Sequence, residues 1–130
     1  MTMAADLVAE TLNAGLLLSR DGQRIHVDSP LGRPLSDDLK DRLITHRGEV
    51  LAWLDWCERA DELLMATSRR IATRYPIGCP LDTDEWQAVE QALHEAHGSQ
   101  DLAVWRAALE RYEAFATRYF TTYEREHRHA

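Results

Sequence analysis

Two histidines and one cysteine are the side chains in this sequence that most resemble a metal-ligand set. His94 and His97 stand about one helical turn apart, and Cys79 adds a thiolate. Structural zinc sites usually take paired ligands from two places, and only one such pair exists here. The alternative is that His97 lies near the C-terminal end of a helix, where the helix dipole favours positive charge. We expect no metal and no other cofactor.

The other groups capable of catalysis are better explained by packing and helix capping. Cys57 lies among apolar neighbours on a predicted helix, and no spacing activates its thiol. Carboxylates cluster at predicted helix starts, as at Asp37 and Asp38, where they stabilise the helix. The sequence contains neither a glycine-rich phosphate loop nor a serine-hydrolase order of residues. We therefore expect a protein without enzymatic activity.

The charge balance disfavours nucleic acid as the main partner. The 130 residues include 15 basic and 22 acidic side chains, a formal net charge of −7, and such a surface repels phosphate backbones. The four tryptophans lie on apolar stripes of predicted helices, without interleaved basic residues. The alternative is a nucleic-acid-associated regulatory factor that uses its helical second half, with the basic run at 69–74.

The apolar runs and the cysteines indicate the compartment. No run approaches the roughly 20 apolar residues of a membrane span. The first residues lack the basic flank and apolar block of a signal peptide, and the two cysteines form no secreted-type framework. We expect a cytoplasmic protein that does not bind membranes.

One stretch alternates with a period of two, which is typical of a β-strand pair. It runs from Leu16 to Val27, and Asp21-Gly22 at its centre predicts a two-residue type I′ turn. This turn would pair Leu16 with Val27 and Leu18 with Ile25 on one apolar face. The opposite face would carry Leu17, Ser19, Arg24 and His26.

A lone hairpin leaves unpaired backbone groups along its edges, where an extended peptide can add as a further strand. Basic side chains at or near this hairpin favour an acidic peptide. The predicted partner-binding residues are Leu17, Ser19, Arg20, Arg24, His26 and Arg33. The alternative is that basic residues at an edge only prevent aggregation.

Helices are predicted on both sides of the hairpin. The first covers about residues 3–14 and ends at Gly15. After a proline-containing loop, Ser36 caps the second, whose buried stripe is predicted to be Leu39, Leu43 and Ile44. A third helix begins at Glu49. Residues 1–54 are therefore predicted to form a helix, a hairpin and two helices.

Residues 55–130 are predicted to form an antiparallel helical bundle, so the chain as a whole is α+β and mostly helical. The long helix continues from 49, a turn covers 75–81, and two helices span 82–97 and 99–125.

Capping residues and a wide apolar face mark the last two predicted helices. Asp82 and Ser99 are the expected N-caps, and Gly98 ends the first of the two helices. The apolar face of the last helix is wider than one short helix can cover, which predicts a homodimer through a seam on this face or through the hairpin edge. Its expected seam consists of Trp105, Tyr112, Phe115, Tyr119 and Phe120.

Residues 6–54, DLVAETLNAGLLLSRDGQRIHVDSPLGRPLSDDLKDRLITHRGEVLAWL, resemble the TubC N-terminal docking domain of nonribosomal peptide synthetase assembly lines. The matching features are a leucine-rich helix ending at Gly15, a hairpin with Gly22 in its turn, a proline-bearing loop, and a helix pair with His46 before its break. The resemblance implies an α-β-β-α-α unit that often dimerises and binds a partner's short acidic tail along the exposed hairpin.

Related domains also stand at the front of small proteins carried by bacterial mobile elements. No carrier-type serine motif follows residue 55. We therefore expect a docking module in an accessory protein of a bacterial mobile element or another multi-protein assembly. Its expected partner is another protein or peptide segment.

Overall fold

A computed structural model describes residues 2–75 and 83–127 of the chain. The predicted fold class is confirmed, because the protein is mostly helical with one antiparallel hairpin after an N-terminal helix. The elements are α1 (Met3–Asn13), β1 (Leu17–Asp21), β2 (Arg24–Asp28), α2 (Asp37–Thr45), α3 (Arg47–Arg74), α4 (Asp84–Gly98) and α5 (Leu102–His127). The chain forms two compact units, 1–58 and 59–130, with the boundary inside α3, whereas the boundary predicted from the sequence lies at 54/55.

Helix α1 is fixed at both ends by local contacts. The Thr2 hydroxyl accepts a hydrogen bond of 3.2 Å from the backbone N–H of Ala5 and so caps the N-terminus. Gly15 has a φ of +85°, the left-handed conformation predicted to end this helix. A Cβ at Gly15 would lie 2.9 Å from Cδ of Arg33, which shows that the Arg33 side chain packs over the helix end.

The hairpin forms at the predicted place but in a different register. Leu18 pairs with Val27, whereas the predicted turn would pair Leu18 with Ile25 and Leu16 with Val27. Leu16 lies before β1 and is buried at 1 % exposure. The observed pairing is shifted by two residues relative to the prediction.

The turn explains the shift. Asp21 pairs with Arg24, so the two turn residues are Gly22 and Gln23 rather than Asp21 and Gly22. Gly22 has a φ of +60°, and Gln23 has no positive φ. One positive φ at the first central position is the type II′ pattern, whereas type I′ requires two.

The shift leaves the two faces of the hairpin as predicted, because only an odd shift exchanges them. Leu18, Ile25 and Val27 are half-buried on one face. The other face carries the exposed side chains Leu17, Ser19, Arg24 and His26.

Helix α2 starts as predicted, since the Ser36 hydroxyl accepts a hydrogen bond of 3.2 Å from the Leu39 backbone N–H. Its buried stripe is predicted correctly for Leu39 and Leu43 but wrongly for Ile44, which is 62 % exposed. Ile44 follows Leu43 directly and is therefore rotated about 100° around the helix, away from the core. Helix α3 begins at Arg47, two residues before the predicted start.

The core of the first unit contains side chains from every helix of that unit. Leu7, Leu16, Leu39, Leu43 and Val50 are buried, and each such side chain contributes about 1.5–3 kcal/mol to folding. Ile25 and Val27 of β2 are only half-buried and Ile44 at the end of α2 is exposed, so this part of the unit lies outside the core.

The N-cap of helix α4 lies one residue later than predicted. The Thr83 hydroxyl accepts a hydrogen bond of 3.0 Å from the Trp86 backbone N–H, so Thr83 is the N-cap instead of Asp82. A hydroxyl in this position satisfies the same free N–H groups that a carboxylate would. Asp82 and the predicted turn at 75–81, apart from Tyr75, lie outside the described residues.

The connection from α4 to α5 also differs from the prediction. Gly98 is the last residue of α4, and Gln100 takes the left-handed conformation with a φ of +55°. Ser99 caps the C-terminus of α4, whereas a carboxylate oxygen of Asp101 accepts hydrogen bonds from the backbone N–H groups of Ala103 and Val104. Asp101 is therefore the N-cap of α5 because its side chain reaches two free donors.

The second unit is built from residues 59–74 of α3 together with α4 and α5. Its core includes Val89 and Ala96 on α4 and Trp105, Leu109 and Phe115 on α5. The indole Nε1 of Trp105 donates a hydrogen bond of 3.1 Å to the Ala60 carbonyl, which joins α5 to α3. Ile71, Ala116 and Phe120 form a further buried cluster.

Candidate docking groove

The first unit contains an open groove between β2 and α2 with a volume of about 420 Å³. Its apolar lining is Ile25, Val27, Leu35, Leu43 and Ile44. Its polar lining is entirely basic and consists of Arg24, Lys40 and Arg47. We refer to this surface, defined by these eight residues, as the docking groove.

The pleat of β2 and the end of α2 expose the apolar lining. Ile25 and Val27 are two residues apart, so they project from the same face of the strand. Ile44 adds a largely exposed side chain from the last turn of α2, next to the buried Leu43. Leu35 comes from the loop immediately before the Ser36 cap. The groove therefore presents apolar surface to which a partner side chain can bind.

The basic side chains give the docking groove a uniform charge. The chain carries a net charge of −7, yet no acidic residue lines the groove. Lys40 is the only lysine of the chain. Uniform positive charge beside apolar surface favours a ligand with carboxylates and apolar side chains.

Arg47 also anchors the turn of the hairpin. Its guanidinium donates a 3.0 Å hydrogen bond through Nε, and a second through Nη2, to the backbone carbonyl of Gln23. Because Nε and Nη2 donate to the same carbonyl oxygen, Arg47 fixes the tip of the hairpin to the beginning of α3. Arg47 is thus a structural anchor of the groove as well as part of its lining.

The structure brings only one of the predicted partner-binding residues to the docking groove. Arg24 lines it, whereas Leu17, Ser19 and His26, which share the hairpin face of Arg24, are exposed and do not line the groove. Arg33 packs over Gly15 at the end of α1, and its backbone carbonyl accepts a 2.6 Å hydrogen bond from the Ser29 hydroxyl.

Arg20 lies on the same face as Leu18 but pairs with acidic residues of its own chain. Its Nη2 atom is 3.0 Å from a carboxylate oxygen of Glu58 and 3.3 Å from one of Asp55, both on α3. The hydrogen bond to Glu58, followed by the attraction of the two carboxylates, raises the pKa of Arg20. An acidic partner would have to compete with these carboxylates.

Sequence reasoning missed most of the groove because it assigned the apolar end of α2 to the core. On α2, Lys40, Leu43 and Ile44 have helical spacing on one face, and Arg47 follows at the start of α3. Two cations that flank two apolar residues in this order are the signal that could have identified the groove. Leu35 lies in a loop, and no periodicity marks it.

His97, one of the two histidines considered as metal ligands, packs against an aromatic ring in the second unit. The rings of His97 and Trp105 meet edge to face, with centroids 5.6 Å apart. Burial, reinforced by the neighbouring His94 and opposed by Asp61, lowers the pKa of His97. Within 2–75 and 83–127, no three histidine, cysteine or acidic side chains are grouped to hold a metal, and Cys79 lies outside these ranges.

The residues of the predicted oligomer seam pack largely within the second unit. Trp105, Phe115 and Phe120 are buried by their own chain, and Tyr112 and Tyr119 are half-buried. Trp86 on α4 covers part of this face, with ring centroids 5.6 Å from Tyr112 and 6.0 Å from Phe115. The homodimer through this seam stays a prediction. Tyr112 and Tyr119 are the two seam residues whose side chains are partly exposed and so offer surface to a second copy of the chain.

No helix in the described part of the chain has both the length and the apolar character needed to cross a membrane. Comparison of the chain with family models, with curated proteins and with solved structures finds no match. The functional conclusion therefore depends on the residues of the docking groove.

Proposed function

We propose that the chain is a non-enzymatic protein-interaction module that binds a segment of a partner protein in the docking groove. The observation that carries the proposal is the segregation of charge. All charged residues of the groove are basic in a chain with a net charge of −7, and they surround five apolar side chains. A partner segment with alternating acidic and apolar residues complements both features.

The edge of the sheet supports the same mode of binding. Within residues 2–75 and 83–127 the sheet has two strands, so β2 pairs with β1 along one side and has no strand partner along the other. A partner strand along the other side of β2 would complete the hydrogen bonds of its backbone. Alternate side chains of that strand would lie on the face that carries Ile25 and Val27. The predicted hairpin edge and the docking groove are then two parts of one binding surface.

The resemblance to TubC docking domains agrees with this proposal. It implies a helix, a hairpin and two helices, which is the order of α1, β1, β2, α2 and the start of α3. It also implies an acidic partner segment. We extend the proposal to an accessory protein of a bacterial mobile element or another multi-protein assembly, located in the cytoplasm and forming a homodimer.

The alternative of a nucleic-acid-associated factor has less support from the basic run at 69–74. Both oxygens of the Glu113 carboxylate accept hydrogen bonds from Arg70, at 3.1 and 3.0 Å. Arg74 lies with its guanidinium carbon 5.8 Å from the ring centre of Tyr75. Two of the three arginines are thus engaged within their own unit.

Peptide binding tests the proposal directly. A short fluorescent peptide in which leucine and glutamate alternate should bind the full chain, with saturation of the fluorescence anisotropy. A counterpart with lysine in place of glutamate should not bind. Lys40→Glu should weaken binding about tenfold because it replaces an attraction in the groove with a repulsion, and Ile44→Ser should weaken it by removing apolar contact.

Two matched variants control for general effects. Arg106→Glu makes a similar change of charge at an exposed position on α5, and Val104→Ser shortens another exposed aliphatic side chain. Both should bind the acidic peptide as the wild type does. Equal binding of the acidic and basic peptides, or equal losses in Lys40→Glu and Arg106→Glu, would reject the docking groove as the binding site.

A further inference from the structure

The second unit has its own aromatic cleft, on the C-terminal half of α5 and the first turn of α4. Its volume is about 340 Å³, and its aromatic lining is Phe115, Tyr119 and Tyr123. These residues recur every four positions, which places their rings along one face of the helix. Phe115 is buried, and the two tyrosines are half-buried. We call this surface the aromatic cleft.

The charges at the aromatic cleft favour a cation. Glu85, Arg118 and Glu126 line it, so its carboxylates outnumber its guanidinium by one. Arg118 forms an ion pair with Glu85. Glu126 is exposed and forms no ion pair with any residue of 2–75 or 83–127. One carboxylate of the cleft is therefore available to a positively charged ligand.

One end of the cleft already has a cation above an aromatic ring. The guanidinium carbon of Arg118 lies 5.9 Å from the ring centre of Phe115, within the range in which the negative face of a ring attracts a cation. Tyr119 follows Phe115 at a ring-centroid distance of 5.8 Å. The aromatic surface thus continues past Arg118 toward Tyr123 and Glu126.

We propose that the aromatic cleft binds a small organic cation of the quaternary ammonium class. The methyl groups of such a cation would lie against the rings of Tyr119 and Tyr123, and Glu126 would balance its charge. Quaternary ammonium groups suit this surface because they combine charge with an apolar exterior and donate no hydrogen bonds. This site is on the second unit and is independent of the docking groove.

Tetramethylammonium chloride and its neutral isostere tert-butanol test this proposal on the full chain. Signals of the tyrosine rings would be followed by NMR, with sodium chloride at equal ionic strength as the reference. Tetramethylammonium should shift the ring signals of Tyr119 and Tyr123 to saturation, while those of Tyr75 and Tyr112 stay in place. Tert-butanol should cause no saturable shift, because it lacks the charge.

Two glutamine substitutions on α5 separate the cleft from the general acidity of the helix. Glu126→Gln should weaken tetramethylammonium binding about threefold, the effect of one exposed electrostatic contact. Glu124→Gln removes the same charge from an exposed position that does not line the cleft and should leave binding unchanged. No saturable shift with tetramethylammonium, an equal shift with tert-butanol, or equal losses in the two variants would each overturn the proposal.

Discussion

Arg42 on α2 binds the carboxylate of Glu10 on α1 through two hydrogen bonds, of 2.8 and 2.7 Å. This contact joins the helix before the hairpin to the helix after it. The hydrogen bonds from Arg42 lower the pKa of Glu10 below its ordinary value near 4.5. The pair therefore links the stability of the first unit to pH.

The first prediction concerns that pH dependence. A carboxylate with a lowered pKa in the folded state stabilises the protein above its unfolded pKa, and this stabilisation is lost as the pH falls through the folded pKa. Glu10→Gln should therefore lower the urea midpoint at neutral pH and reduce the loss of stability on acidification below about 4.5. Urea titrations followed by circular dichroism at several pH values would measure both effects. An unchanged acid profile in Glu10→Gln would show that the pair contributes nothing.

The second prediction concerns His97, whose pKa is lowered mainly by burial. Protonation then favours the unfolded state, so the second unit loses stability as the pH falls from the ordinary value of 6.5 toward the folded pKa. His94 on α4, Asp61 on α3 and the Trp105 ring on α5 are the groups that act on it. His97→Gln should reduce this loss in thermal unfolding scans, whereas His26→Gln, at an exposed position on β2, should not.

The third prediction concerns the buried indole of Trp105, which is 3 % exposed. Trp105→Phe removes the second donor to the Ala60 carbonyl, which keeps its helical hydrogen bond within α3. The expected cost is about 0.5–1.5 kcal/mol of unfolding free energy from the lost hydrogen bond, together with a term for the lost volume. Urea unfolding would measure it.

Tyr112→Phe provides the control for that substitution. It keeps the ring, and its hydroxyl has no hydrogen bond to a described residue. Its expected effect is below about 0.5 kcal/mol. Equal losses in the two variants would contradict a specific role of the indole N–H.

The fourth prediction concerns Gly22, the one turn residue with a positive φ. No atom lies within 4 Å of a Cβ built there, so the cost of Gly22→Ala is conformational and about 1–2 kcal/mol. Gly22→Asn should cost less because asparagine adopts this conformation more readily. Thermal unfolding of the three proteins would give the order glycine, asparagine, alanine, and equal stability of all three would contradict the type II′ assignment.

The hairpin shows which features of this fold can be predicted from sequence. The alternation from Leu16 to Val27 predicted both strands and their faces, because burial enforces a period of two. The register was wrong because Asp21-Gly22 and Gly22-Gln23 both satisfy a glycine-containing turn, and the choice depends on contacts from elsewhere. The carbonyl of Gln23 is fixed by Arg47, which lies 24 residues further along the chain.

The docking groove shows what sequence periodicity cannot predict. An apolar residue at helical spacing satisfies the pattern whether it packs in the core, as Leu43 does, or remains exposed, as Ile44 does. The difference arises from which elements pack against each face. The predicted caps at Asp82 and Ser99 failed for a similar reason, because Thr83 and Asp101 lie close by and offer equivalent acceptors.

The most direct test of peptide binding in the docking groove uses the single lysine of the chain. A sample labelled with ¹⁵N only at lysine has one backbone amide signal, that of Lys40 in the docking groove. Binding in the docking groove predicts that the peptide of alternating leucine and glutamate shifts this signal to saturation. The lysine-containing counterpart should leave the signal in place. A signal that does not move with the acidic peptide, or that moves equally with both, would contradict docking in this groove.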